Sequence, residues 1–339
     1  MGAIIGLIRI LLASAVMLAH IPANKLLFID GQVAVLGFFI ISGFYMNLVT
    51  TEKYQSNRSG FLFNRVLRLY PAYFIALALS ILFAFFNHTN HIFLKPEFAG
   101  EMSFAELMWY RITNLIILGQ DITSNLSPKF FHNAYNHPVS PAWTLASELI
   151  FYFVISLLPH RRWMRISLMI AIALASLWVR THWLNTNSYP ISTIGFFMVG
   201  ALSYYLYDYI RAYSGLLLWA VGIILMIVVS AFICFMPTMI DKNQTIFFTV
   251  ICLLSPFIFL VTKDSIIDRF IGELSYPVYI IHMVIVIGIS LGSFSYFIMF
   301  GSHLASIVGL TLISALLIYF LVEKPINKYR LRIAANSAK

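Results

Sequence analysis

Ten apolar runs, at residues 4–21, 33–50, 70–87, 143–159, 166–180, 189–207, 215–236, 245–262, 275–292 and 303–323, recur along a chain of 339 residues. About 20 apolar residues wound as a helix cross the hydrocarbon core of a bilayer. Inside hydrocarbon the backbone must satisfy its own hydrogen bonds, and an α-helix does so within one segment. The pattern predicts an all-α, polytopic integral membrane protein of about ten transmembrane helices. Charge agrees with it. Only 10% of the residues are Asp, Glu, Lys or Arg, against about 25% in soluble domains. So few charges cannot clothe a chain of this length in water.

Basic residues gather on cytoplasmic loops of membrane proteins. With the N-terminus inside and segment 104–119 not crossing, fifteen Lys and Arg fall on cytoplasmic segments and six on outer ones. This predicts both termini in the cytoplasm. It also predicts one membrane-embedded domain over residues 1–335, followed by a short polar tail, 336–339. Segment 104–119 contains Glu106, Arg111 and Asn114 and reads as an interfacial helix within a long outer loop, 88–142. The net charge of +9 is thereby a mark of topology, and no nucleic-acid partner is expected. Arg9 interrupts the first apolar run, and no basic stretch precedes it, so residues 4–21 read as a retained helix rather than a cleaved leader. Cys234 and Cys252 lie inside apolar runs and read as small packed side chains.

Ionisable residues inside such runs are costly, so each needs a reason. Arg9 and His20 stand 11 residues apart, and 11 steps of 100° overshoot three full turns by only about 20°. They share one face, roughly 16 Å apart along the axis, with Arg9 inward and His20 at the outer end. One reading makes them interfacial side chains; the other makes them a site. Arg65 and Arg68, three apart where a cytoplasmic loop meets the third run, share a helix face. Their guanidiniums suit phosphate, or simply anchor the topology. Glu148, in Trp143-Thr144-Leu145-Ala146-Ser147-Glu148, lies at a depth expected to match His20 and can orient it. Ser42-Gly43 reads as a close helix contact. His282 follows Ser275-Tyr276-Pro277. Glu323-Lys324-Pro325 reads as a helix end, with proline as the stop. The loop histidines His88, His91, His132 and His137 complete no metal-ligand set, so no metal is expected. There is no Walker loop, GxSxG or GxGxxG.

Taken in order, Arg9 and His20, Gly31-Gln32-Val33, Phe38-Phe39-Ile40-Ile41-Ser42-Gly43-Phe44, Arg65-x-x-Arg68, Trp143 to Glu148, Leu274-Ser275-Tyr276-Pro277-Val278-Tyr279-Ile280-Ile281-His282 and Glu323-Lys324-Pro325 form a series. It resembles the acyltransferase 3 family of membrane-bound enzymes that O-acylate sugars, from residue 9 to about 330. Departures are Gln32, where many members carry another residue before the valine, and Ala146-Ser147 in place of Ser-Val. The resemblance implies a ten-span fold in the bacterial cytoplasmic (inner) membrane. It implies an acyl-CoA donor, usually acetyl-CoA, with no bound cofactor. It further implies that Arg9, His20, Arg65 and Arg68 are needed for activity. The chain is similar to the stand-alone type, without an esterase-like domain.

These readings combine into an expected reaction. An acyl group, by default acetyl, moves from acyl-CoA to a sugar hydroxyl of a surface polysaccharide or lipid-linked glycan. His20 is the expected base or acyl carrier, its ordinary pKa suiting neutral pH, with Glu148 and Arg9 assisting. Arg65 and Arg68 hold the CoA phosphates. Trp143, Ser147, Tyr276 and His282 are expected at the substrate, and Phe130, Phe131 and Tyr135 of the outer loop can stack on sugar rings. The competing reading is a transporter or flippase of a lipid-linked sugar. It requires intramembrane charges too, but also broken helices and a pseudo-repeat, and the sequence shows no internal repeat.

Overall fold

The computed structural model describes residues 5–21, 29–86, 93–94, 104–120, 138–182, 190–213, 215–290 and 303–337. Among these there is no β-strand. The helices in chain order are α1 (Gly6–Ala19), α2 (Gly31–Glu52), α3 (Arg58–Phe86), α4 (Phe104–Ile116), α5 (Ala142–Leu157), α6 (Arg162–His182) and α7 (Pro190–Ile210). They continue with α8 (Leu216–Phe235), α9 (Pro237–Lys242), α10 (Gln244–Thr262), α11 (Ile266–Ser290), α12 (His303–Ile318) and α13 (Lys324–Ser337). Within the described residues, each of the ten apolar runs falls mainly on one of them. Six helical stretches are long and apolar enough to cross a membrane: α2, α3, α6, α10, α11 and the continuous stretch Leu304–Ala334. Gly6–Ala19, Ala142–Leu157 and Trp219–Phe235 are apolar but shorter. Helix α4, at 13 residues, rises only about 20 Å. It lies against α3, where the Tyr73 hydroxyl donates to the Asn114 carbonyl at 2.5 Å.

Large apolar side chains such as Phe63, Phe74, Leu82 and Phe85 on α3, and Leu174 and Trp178 on α6, face outward. A water-soluble protein would bury such a belt, whereas lipid covers it. Helix α2 stands at the centre, with Val33, Leu36, Phe39, Ile40, Phe44 and Val49 all buried. It meets α7 through two glycines. A Cβ on Gly43 would lie 1.9 Å from the Phe197 carbonyl oxygen, and one on Gly200 would lie 1.9 Å from that of Ile40. The reciprocal contact lets the backbones touch, as small residues do between membrane helices.

Polar residues set the ends that position the site. Asp30 accepts from the backbone N–H groups of Gln32 and Val33 at 2.8 and 3.2 Å and starts α2. Asn57 accepts from Gly60 N–H at 2.7 Å. That cap begins α3 at Arg58, twelve residues before the apolar run at 70. Arg65 and Arg68 therefore lie within the helix, not where a loop meets it. Helix α1 is capped from a distance: Asp268 of α11 accepts from the N–H groups of Gly6 and Leu7 at 2.8 and 3.0 Å. A carboxylate there satisfies orphan donors and complements the helix dipole.

Pro325 does not stop the last helix. Between α12 and α13 the chain makes a π-turn over Tyr319–Glu323, in which Lys324 N–H reaches the Tyr319 carbonyl. The wider turn relieves the clash a proline makes with the carbonyl four residues back. The helix then continues to Ser337, through the start of the expected tail, and carries Asn327 and Arg330 back against α3.

Candidate active site

A cavity of about 110 Å³ opens among α1, α2, α3, α5, α11 and α13. One water centre needs only about 10–15 Å³, so this is a site with room for a ligand rather than a packing flaw. On α2 its lining runs from Val35 to Met46. Those 11 steps of helix cover roughly 16 Å, about half the ~30 Å hydrocarbon core.

Arginines dominate one end. Arg65 is 3% exposed. It donates from Nη2 to Asn64 Oδ1 at 2.7 Å and from Nη1 to Met46 Sδ at 3.7 Å, and its plane lies 5.7 Å from the Phe61 ring. Arg68 is paired with Glu323 at 3.0 Å and sits 5.6 Å from the Tyr276 ring. The Tyr276 hydroxyl donates to the Leu69 carbonyl at 2.6 Å. Arg330, buried on α13, also lines this end.

Glu148 lies deeper. Its Oε1 accepts from Ser42 at 2.8 Å and from the Tyr152 hydroxyl. Arg9 lines the cavity with it and stands 5.9 Å from the Phe38 ring. One turn along α5, Thr144 donates to the Pro141 carbonyl at 2.7 Å, so the Tyr279 hydroxyl, 2.8 Å away, donates to Thr144. The Tyr279 ring lines the cavity and touches His282, with centroids 6.0 Å apart. The His282 ring in turn lies 5.3 Å from that of His20.

Hydrogen bonds fix the tautomers of this histidine pair. His20 Nδ1 is 2.7 Å from the Val16 carbonyl, and His282 Nδ1 is 2.7 Å from the Tyr279 carbonyl. A carbonyl only accepts, so each Nδ1 carries a proton, and in the neutral ring each Nε2 presents a lone pair. His282 is fully buried and its Nε2 has no partner. His20 is exposed. A neutral imidazole with Nδ1 held and Nε2 open is competent to take a proton from a hydroxyl.

The chain matches, over residues 3–320, the family model described as an acyltransferase domain, Acyl_transf_3. It belongs to the acyltransferase 3 family. No curated relative and no solved structure matches it. The chain is thus a membrane acyltransferase.

In this acyltransferase, Arg9, Arg65, Arg68, Glu148 and Tyr276 line one cavity. His20 and His282 stand together just past Tyr279. Trp143 is half-buried, and Ser147 is buried with its hydroxyl unpartnered; neither lines the cavity. The ring neighbour of His20 is His282, whereas the Glu148 carboxylate is bonded by Ser42 and Tyr152. Phe130, Phe131, Tyr135 and the four loop histidines lie outside the described residues, as does most of loop 88–142. Among the described residues no three His, Cys, Asp or Glu side chains gather as metal ligands. Sequence reasoning passed over Asn327, and it counted Arg330 only among the basic residues assigned to topology. Their spacing from Glu323, four and seven residues, was the available signal, since i, i+4 and i+7 share a helix face.

Proposed function

We propose that this acyltransferase moves an acyl group, acetyl by family default, from acyl-CoA to a sugar hydroxyl of a surface polysaccharide or lipid-linked glycan in the bacterial inner membrane. Ten helices cross the membrane in this reading, with both termini inside, so the Arg65 end of the cavity faces the cytoplasm. One observation carries it: a single cavity leads from buried arginines to a tyrosine in ring contact with the His282–His20 pair.

The donor's phosphates stay at the arginine end while its acyl arm lies along the cavity toward Tyr279. This bridges the interval between a cytoplasmic donor and a histidine at the outer end of α1. The acceptor hydroxyl approaches from the outer side. His20 Nε2 takes its proton as the oxygen attacks the thioester carbonyl. The carbon–sulfur bond breaks, the thiolate leaves with CoA, and the proton returns to it. Neutral His282, its Nε2 bare, faces the imidazolium formed on His20 without a competing charge. Arg9, roughly 16 Å along α1 from His20, steers the donor along the cavity toward Tyr279 rather than touching the reacting carbonyl. Glu148, held by Ser42 and Tyr152, keeps Arg9 company in the cavity.

The test is chemical analysis of surface glycans by mass spectrometry in cells expressing the protein or His20→Ala. O-acyl groups with the first and none with the second are expected. Equal acylation in both would remove His20 from the chemistry. No acylation with either would remove the glycan acceptor.

A further inference from the structure

Asn64 Oδ1 accepts hydrogen bonds from two guanidiniums at once. Arg65 Nη2 reaches it at 2.7 Å, and Arg330 Nη2 and Nε reach it at 3.2 and 3.3 Å. The amide's orientation is fixed because its Nδ2 donates to the Arg330 carbonyl at 2.9 Å. The other partners of Arg330 are also neutral: its Nη1 donates to Asn327 Oδ1 at 2.5 Å and its Nε to the Asn64 carbonyl at 3.2 Å. Arg65 and Arg330 are 3% and 4% exposed. Among the described residues, neither has a carboxylate oxygen within 4.0 Å. Arg65 Nε is buried with no partner at all.

Two like charges side by side, out of water and gripped only by amides, are held without being neutralised. Buried cations are normally matched by an anion. Arg68, three residues away, shows the contrast, since Glu323 already neutralises it. Glu323 acts on Arg330 only through space, its carboxylate being bonded to Arg68, and Glu273 and Glu148 are further carboxylates on the cavity wall. Both unmatched arginines and Asn327 open onto the cavity, and paired guanidiniums present the forked donors that phosphate oxygens accept.

We infer that Arg65 and Arg330, steadied by Asn64 and Asn327, form the binding site for the donor's phosphate groups, and that Arg68 is a structural partner of Glu323 outside it. The inference rests on the acyl-CoA reading above and names the residues that would hold the nucleotide end. The amides leave both charges available to the ligand. Asn327 is therefore the sensitive position, because an acid there supplies an internal counter-ion to Arg330 at the same place in the chain.

The experiment is calorimetric titration of the purified protein in maltoside micelles with CoA, pantetheine, inorganic pyrophosphate and phosphatidylglycerol as separate probes. Asn327→Asp is expected to weaken CoA binding about tenfold or more without lowering the melting temperature, and to leave pantetheine unaffected. Arg330→Ala should weaken CoA binding similarly, whatever it does to stability. Unchanged CoA affinity in Asn327→Asp and Arg330→Ala would overturn the inference while leaving the acyl-CoA reading intact. Pyrophosphate binding that Asn327→Asp abolishes, with no CoA binding, would keep the phosphate site and remove the acyl-CoA reading. Binding of phosphatidylglycerol alone would assign the site to a lipid headgroup and overturn the inference.

Discussion

Burial decides which ion pairs matter in this protein. Arg211 and Glu52 meet at 2.5 Å, with side chains 41% and 31% exposed, and such pairs contribute about 0–1 kcal/mol. Arg68 and Glu323 are 12% and 5% exposed. Glu323→Ala strands a buried guanidinium and is expected to cost about 3–5 kcal/mol, seen as a large fall in melting temperature in detergent. Glu52→Ala should leave that temperature within a degree or two. Ser42→Ala removes one hydrogen bond to the Glu148 carboxylate. Its expected cost is about 1.5–3 kcal/mol, measured the same way. At this scale the sequence showed that Arg9, Glu148 and His20 are expensive, because single charges stand out in apolar runs. It did not show who partners them. Glu148 bonds Ser42, 106 residues distant in the chain, and no local periodicity encodes that.

Helix α1 holds both Arg9 and His20, yet its N-terminus depends on Asp268 of α11. Asp268→Ala removes that cap, at an expected cost of about 0.5–2 kcal/mol. Activity should fall more than stability does, because α1 shifts the histidine it carries; a kcat assay beside a melting curve separates the two. The α2–α7 contact is less forgiving. Gly200→Ala drives a methyl to 1.9 Å from the Ile40 carbonyl oxygen, and is expected at the top of the about 1–3 kcal/mol range for overpacking. The check is the yield of monodisperse protein on size exclusion. Helix placement was largely legible, since apolar length dictates it. Helix ends were not. Asn57 begins α3 well before its apolar run, and the π-turn carries α12 past Pro325. The sequence rule that proline stops a helix failed there because one widened turn removes the clash. Arg330 stayed hidden for a related reason: with the last apolar helix expected to end at Pro325, a buried face beyond it had no place.

Across the whole molecule, the cavity joins residues that the sequence places on six separate helices. Its arginine end and the His20–His282 pair just past Tyr279 differ in chemistry, and in the proposed function the interval between them separates a phosphate-bearing donor from the acceptor, with the direction taken from the positive-inside pattern. The most direct test uses sealed proteoliposomes containing the purified acyltransferase in one orientation, with labelled acetyl-CoA supplied to one face and a glycan acceptor to the other. The account predicts O-acetyl glycan only when acetyl-CoA is on the face carrying α13 and the acceptor is opposite, with no product from His20→Ala. Product formed equally with donor and acceptor exchanged, or undiminished in His20→Ala, would contradict it.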